Sequence, residues 1–234
     1  MALPSFFKQT RNKLGGWIPL SVVPLRRHHI RFWDRHIQPI IAKLGPQVRA
    51  DANWDWHLLT SLGTLTIPLL QEPKAFAIVY HHPTTKEPIV CALINLACKF
   101  LYLPAAHQRG KKPDSTFVWH CASAPAEALE PYFPNKTTPK QLSQLCLDIG
   151  VTLSIHYGHQ GRLCLHADPA SPKTLDQKDL LMEFYKNPPV GMTPLDPRIR
   201  IPKLRGWLAP NDGRYFYFDE RSGQTFTQQF AAYR

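Results

Sequence analysis

Between residues 116 and 192 the chain reads as an apolar strand, a capped amphipathic helix, a second strand opened by Gly161-Arg162, and a helix closing on Phe184-Tyr185 and Gly191-Met192. No other stretch restricts the fold as tightly, because apolar periodicity and turn residues there alternate in one order. That order is what a slot between two splayed strands requires. The helix is read from Thr138-Pro139-Lys140-Gln141. Thr138 is placed to cap, Pro139 occupies the first turn where a missing N–H costs least, and Gln141 closes a capping box. Its apolar face is Leu142, Leu145, Cys146, Ile149 and Leu153, and Gly158 ends it. Residues 163–167 follow as a strand and 180–185 as a helix.

Upstream, residues 17–23 predict a short first strand. Apolar residues at Ile30, Trp33, Ile37, Ile40, Ile41 and Leu44 predict a helix over 26–44, stopped by Gly45-Pro46 and kinked or interrupted at Pro39. Residues 51–62 offer a second helix carrying Trp54 and Trp56. β-branched and aromatic runs at 75–80 and 89–103 flank the turn at 83–87 and predict a hairpin, and 117–122 is the next strand. Downstream, 199–208 and 214–218 flank Asn211-Asp212-Gly213, a hairpin turn signal, and 225–233 reads as a short helix.

With 234 residues, 44% of them hydrophobic, the chain can bury one substantial core. The expected organisation is a basic flexible arm over 1–16 and a single domain over 17–234. The five cysteines form no C-x-x-C pair and sit in apolar runs, which reads as reduced core thiols. Without a spanning-length apolar run or a secretory signal, the expected location is cytoplasmic. Of the net charge of +11, residues 1–50 carry +8. Arg27, Arg31 and Arg35 recur every fourth residue on the outer side of the first helix, a ridge suited to phosphates. RNA or another polyanion is the partner this charge implies. The eleven histidines show no zinc-type spacing, so no metal site is predicted.

The element order, together with Ser154-x3-Gly158-x2-Gly161-Arg162-x-Cys164-Leu165-x-Ala167, Phe184-Tyr185 and Gly191-Met192, resembles the GNAT (Gcn5-related N-acetyltransferase) superfamily. Ala122-Ser123-Ala124-Pro125 is similar to the end of that family's fourth strand. The resemblance covers residues 17–220 in element order and 116–192 in motif. It implies an α+β fold with a central, mostly antiparallel sheet, splayed between strands four and five, and helices on both faces. It further implies acetyl-CoA as acyl donor, with its pantetheine arm along Trp119, Cys121 and Ser123. The family's pyrophosphate loop is Q/R-x-x-G-x-G/A, whereas residues 134–140 contain no glycine. Lys136, Thr138 and Lys140 would bind there, with lysine charge replacing lost backbone donors. Tyr185 matches the tyrosine that protonates the departing thiolate, and strand four offers His120 as general base, with His166 a second candidate. The function so implied is N-acyl transfer to an amine, including one linked to RNA. The alternative is a GNAT-like binding or regulatory module that has lost this chemistry.

Overall fold

The computed structural model describes residues 10–11, 16–65, 71–174, 176, 178–202, 208–209 and 211–233. Its frame is a seven-stranded sheet of β1 (Ser21–Pro24), β2 (Gln71–His81), β3 (Pro88–Leu101), β4 (Asp114–Ser123), β5 (Leu163–His166), β6 (Thr193–Pro194) and β7 (Tyr215–Phe218). They lie in the order β1-β2-β3-β4-β5-β7-β6, and every neighbouring pair is antiparallel except β4 and β5, which run parallel. The expected α+β class and mostly antiparallel sheet are therefore observed. β3 is central, and residues 89–98 are all buried, including Asn95, whose amide donates to the Leu59 carbonyl. A continuous apolar run is what a strand covered on both faces requires.

On one face lies the helical run α1 (Arg27–Phe32), a π-helical turn (Trp33–Ile37) and α2 (Gln38–Leu44). Pro39 has no N–H, and its ring would crowd the Arg35 carbonyl in a regular helix; the wider turn just ahead carries the chain past it without a break. The helix expected over 51–62 is divided into a 3-10 turn (Ala50–Asn53) and α3 (Trp56–Leu65). Gln38 holds that turn, donating to the Asp51 and Ala52 carbonyls at 3.0 Å each while accepting from the Trp33 indole at 2.9 Å.

Between β4 and the next long helix come α4 (Ala126–Leu129) and 3-10 turns at Glu130–Tyr132 and Pro134–Lys136. The expected capping box does not form. The helix, α5 (Leu142–His156), starts later, and Gln141 takes the N-cap position with φ 59° and no side-chain cap. Thr138 and Pro139 are buried ahead of it, so the proline ends the loop instead of opening the helix. Leu142, Leu145, Cys146, Ile149 and Leu153 are buried as expected. The motif around Gly158 and Gly161 is a return turn: Ser154 Oγ donates to the Arg162 carbonyl at 2.7 Å, and Arg162 Nε donates to that of Asp114 at 2.9 Å. This turn places β5 beside β4.

α6 (Leu180–Lys186) and α7 (Glu220–Gln228) complete the second face with α5. α7 begins earlier than residue 225 because Asp219 caps it, its carboxylate accepting from Ser222 N at 2.7 Å. Among the described residues no pairing across Asn211-Asp212-Gly213 forms the expected hairpin, and residues 203–207 of its first strand lie outside the described residues. β7 instead enters the sheet between β5 and β6, while Ile201–Pro202 pairs separately with Leu208–Ala209. The first strand is also divided, Trp17–Ile18 pairing with Thr10–Arg11 and Ser21–Pro24 with β2. Most of the expected N-terminal arm lies outside the described residues. Among the described residues, no helix is long and apolar enough to cross a membrane.

Candidate functional site

β4 and β5 pair over only three positions, Thr116 with Leu163, Phe117 with Cys164 and Val118 with Leu165. β4 continues to Ser123, but the chain leaves β5 after His166, and Ala167 N donates to the Arg214 carbonyl at 2.9 Å. From Trp119 onward β4 has no strand partner on its β5 side among the described residues. A β-bulge coincides with the parting: Val118 opposes Leu96, His120 opposes Asn95, and Trp119 is the extra residue. Bulges re-aim side chains beside functional clefts. A cavity of about 530 Å³ opens at this parting, a volume typical of small-ligand sites.

The register divides the cavity walls between the two faces of the sheet. Cys121 and Ser123 point to the α5 face, where Ser123 Oγ lies 3.0 Å from Ser143 Oγ near the helix start. Cys121 lies beside Cys146 of α5, and that neighbour together with burial raises the Cys146 thiol well above its ordinary range. Tyr185 reaches the same face from α6, its ring 5.6 Å from Phe216. Burial, with Cys121, Cys146 and Asp168 nearby, pushes its phenol far above the usual value and keeps it protonated.

Arg214 fixes α6 in place. Its guanidinium donates to the Ala167 carbonyl at 2.9 Å, to the Asp168 carbonyl at 2.5 Å and to Asp179 Oδ2 at 2.5 Å. Asp179 in turn caps α6, accepting from Met182 N at 3.1 Å. One side chain thus binds the end of β5 to the helix that carries Tyr185.

On the opposite face His120 packs edge-on against Trp54, 5.0 Å between ring centroids, and Trp56, 6.4 Å. Burial lowers its pKa from 6.5 to about 4, with Asp168 opposing the shift. Its buried Nδ1 has no hydrogen-bond partner. His166 lies on this face too, its Nε2 2.8 Å from Asp212 Oδ2 and its ring 4.4 Å from Tyr215. At the far end of β4, Arg49 makes a two-pronged ion pair with Asp51 at 2.8 and 2.6 Å and donates to the Ser123 carbonyl at 2.8 Å.

Trp119, His120, Cys121, Ser123 and Tyr185 all line the cavity, as does His166. Lys136, Thr138 and Lys140 do not. Lys136 is exposed and 3.9 Å from Glu130, Thr138 is buried, and Lys140 is exposed. The N–H groups of Lys136, Thr137 and Thr138 are bonded inside the loop, to the Phe133, Pro134 and Lys136 carbonyls. Arg27, Arg31 and Arg35 are exposed on the helical run, away from the cavity lining. Sequence reasoning missed Arg49, Asp51, Trp54, Asp212 and Arg214. Arg49-x-Asp51 has ion-pair spacing, whereas the two residues flanking Gly213 were legible only as turn chemistry.

Among the described residues no group of three or more histidine, cysteine, aspartate or glutamate side chains is arranged to hold a metal ion. No protein-family model matches the chain, and no curated protein is significantly similar to it.

Proposed function

We propose that this chain is an acetyl-CoA-dependent N-acyltransferase of GNAT type. The observation that carries the reading is the parting of the one parallel pair among the described strands, over a cavity with Tyr185 on one face and two histidines on the other. The edge of β4 from Trp119 to Ala122, beyond which Arg49 already holds the Ser123 carbonyl, suits the amides of a pantetheine arm, which would pair with it as an added strand does. Acetyl-CoA supplies an activated acetyl thioester. Tyr185, which reaches the same face as Cys121, would give its proton to the thiolate that departs.

The turn at 134–140 does not suit a pyrophosphate, because the N–H groups of Lys136, Thr137 and Thr138 are used internally and Pro134 and Pro139 have none. The groups left for that end of the donor are at the start of α5, where Ser143 lines the cavity and the helix dipole favours an anion. The exposed Arg27, Arg31 and Arg35 support an anionic partner such as RNA, whose binding should weaken steeply with salt. The five free thiols, four of them buried, suit a reducing, cytoplasmic setting.

The internally bonded turn also favours a second reading, a binding module that has kept the fold and lost the donor. Isothermal titration with acetyl-CoA separates the two. Micromolar binding, with a melting rise equivalent to about 2.7 kcal/mol at a hundredfold excess over Kd, supports the transferase; no heat and no shift leave the module.

A further inference from the structure

We infer that the acceptor nitrogen is deprotonated by His166, with Asp212 as its positioning residue, and not by His120. The inference rests on the acyltransferase reading above and names the base within that site. Two histidines face the cavity from the same side of the sheet, and their surroundings differ in kind. His120 is wedged between Trp54 and Trp56 with no carboxylate bonded to it, so burial makes it a weak proton acceptor. His166 has Asp212 Oδ2 2.8 Å from Nε2. That bond fixes the neutral tautomer with its proton on Nε2, leaves Nδ1 as the basic atom, and stabilises the imidazolium that forms.

Asp212 is itself held. Its Oδ1 accepts from Arg214 N at 3.0 Å, and the preceding Asn211 donates to the Asp196 carbonyl at 3.0 Å while accepting from Gly213 N at 2.8 Å. The His166 and Arg214 contacts keep the Asp212 carboxyl below its ordinary range against burial, so it remains a carboxylate beside the imidazole. The other titratable groups around His166 are Tyr215 under its ring, Asp168 and Arg214 at the end of β5, and His120 across the cavity.

In the step, the acceptor lone pair forms the C–N bond to the acetyl carbon and the C–S bond breaks. His166 Nδ1 takes the proton the nitrogen loses, and Tyr185 gives its proton to the thiolate. Solvent then returns a proton from His166 to Tyr185, so the net change is movement of acetyl from sulfur to nitrogen with release of CoA thiol.

The test uses the full chain with acetyl-CoA and a simple primary amine, tryptamine, chosen for the aromatic walls of Trp54, Trp119 and Tyr215. Free CoA thiol is followed against pH, and acetyl-CoA binding is titrated separately. His166→Gln should lower kcat about 100-fold or more, the size of a lost general base, with acetyl-CoA binding intact. Asp212→Asn should lower kcat about 10-fold or more with KM and acetyl-CoA binding unchanged, because the imidazole loses the carboxylate that fixes its tautomer, and Asp212→Glu should restore part of the loss. Near-UV circular dichroism of Asp212→Asn, an isosteric change, guards against a folding defect. Transfer by wild type that is unaltered in His166→Gln overturns the His166 assignment alone. Wild type that neither binds nor uses acetyl-CoA overturns the assignment together with the acyltransferase reading.

Discussion

β3 and β4 are neighbours in one sheet, yet they are built to different ends. β3 is paired along both edges, and residues 89–98 are buried apolar side chains apart from Asn95. β4 is paired fully with β3 but with β5 over three residues only, and its outer half carries Trp119, His120, Cys121 and Ser123 into a cavity. Backbone groups left without a strand partner carry a cost that packing elsewhere must offset. Continuous strand pairing and the open cavity thus lie on opposite edges of the same strand.

If that division is correct, Leu93→Ala, which empties a fully buried β3 position, should lower unfolding free energy by about 2–5 kcal/mol in urea denaturation. Cys121→Ala in the cavity wall should cost less than about 1 kcal/mol. Equal losses at the two sites would break the comparison. A second pair sharpens it at the closed side of β5. A Cβ on Gly223 of α7 would collide with the Gly161 carbonyl oxygen, so Gly223→Ala should cost about 1–3 kcal/mol. Gly158→Ala, with φ +79° but nothing within 4 Å, should cost about 1 kcal/mol.

Acid should act next, through one histidine in the cavity and one beside the β1–β2 edge. Burial holds both His120 and His29 at about 4 against an ordinary 6.5. Above 6.5 neither the folded nor the unfolded chain protonates them; below it the unfolded chain binds protons first, so stability falls as pH drops toward 4. Each contributes at most about 1.4 kcal/mol per pH unit, and His120→Asn should flatten the slope in urea melts taken from pH 7 to 4. The most local effect is expected at Arg214→Met. Losing its bonds to Ala167, Asp168 and Asp179 leaves the Asp179 carboxylate without its cation, and amide exchange in residues 180–186 should accelerate selectively. Uniform acceleration across the sheet would show that Arg214 holds the whole fold and not α6.

Much of the sheet was legible because its apolar runs are long. The β2–β3 hairpin, the α5 face and the strand at 163–166 follow directly from periodicity. The failures came where local signals compete with tertiary ones. Thr138-Pro139 has the grammar of a helix start, but burial of both residues moves that start to Leu142. Asn211-Asp212-Gly213 has the grammar of a hairpin, yet the chain beyond it pairs with β5 and β6, which no window of adjacent residues can reveal. In the candidate site, Tyr185, His120 and Trp119 stood out on a recognisable pattern. Asp212, Arg214 and Arg49 act through partners 46, 35 and 74 residues away, so their roles emerge only once the chain is folded.

A transferase of this kind needs the open edge of β4 to be a binding edge. Hydrogen–deuterium exchange of the wild-type chain, read with and without saturating acetyl-CoA, addresses it at the amides themselves. Selective protection of residues 119–123 and of the start of α5 is the predicted result; exchange in residues 119–123 that is unchanged by acetyl-CoA would contradict it.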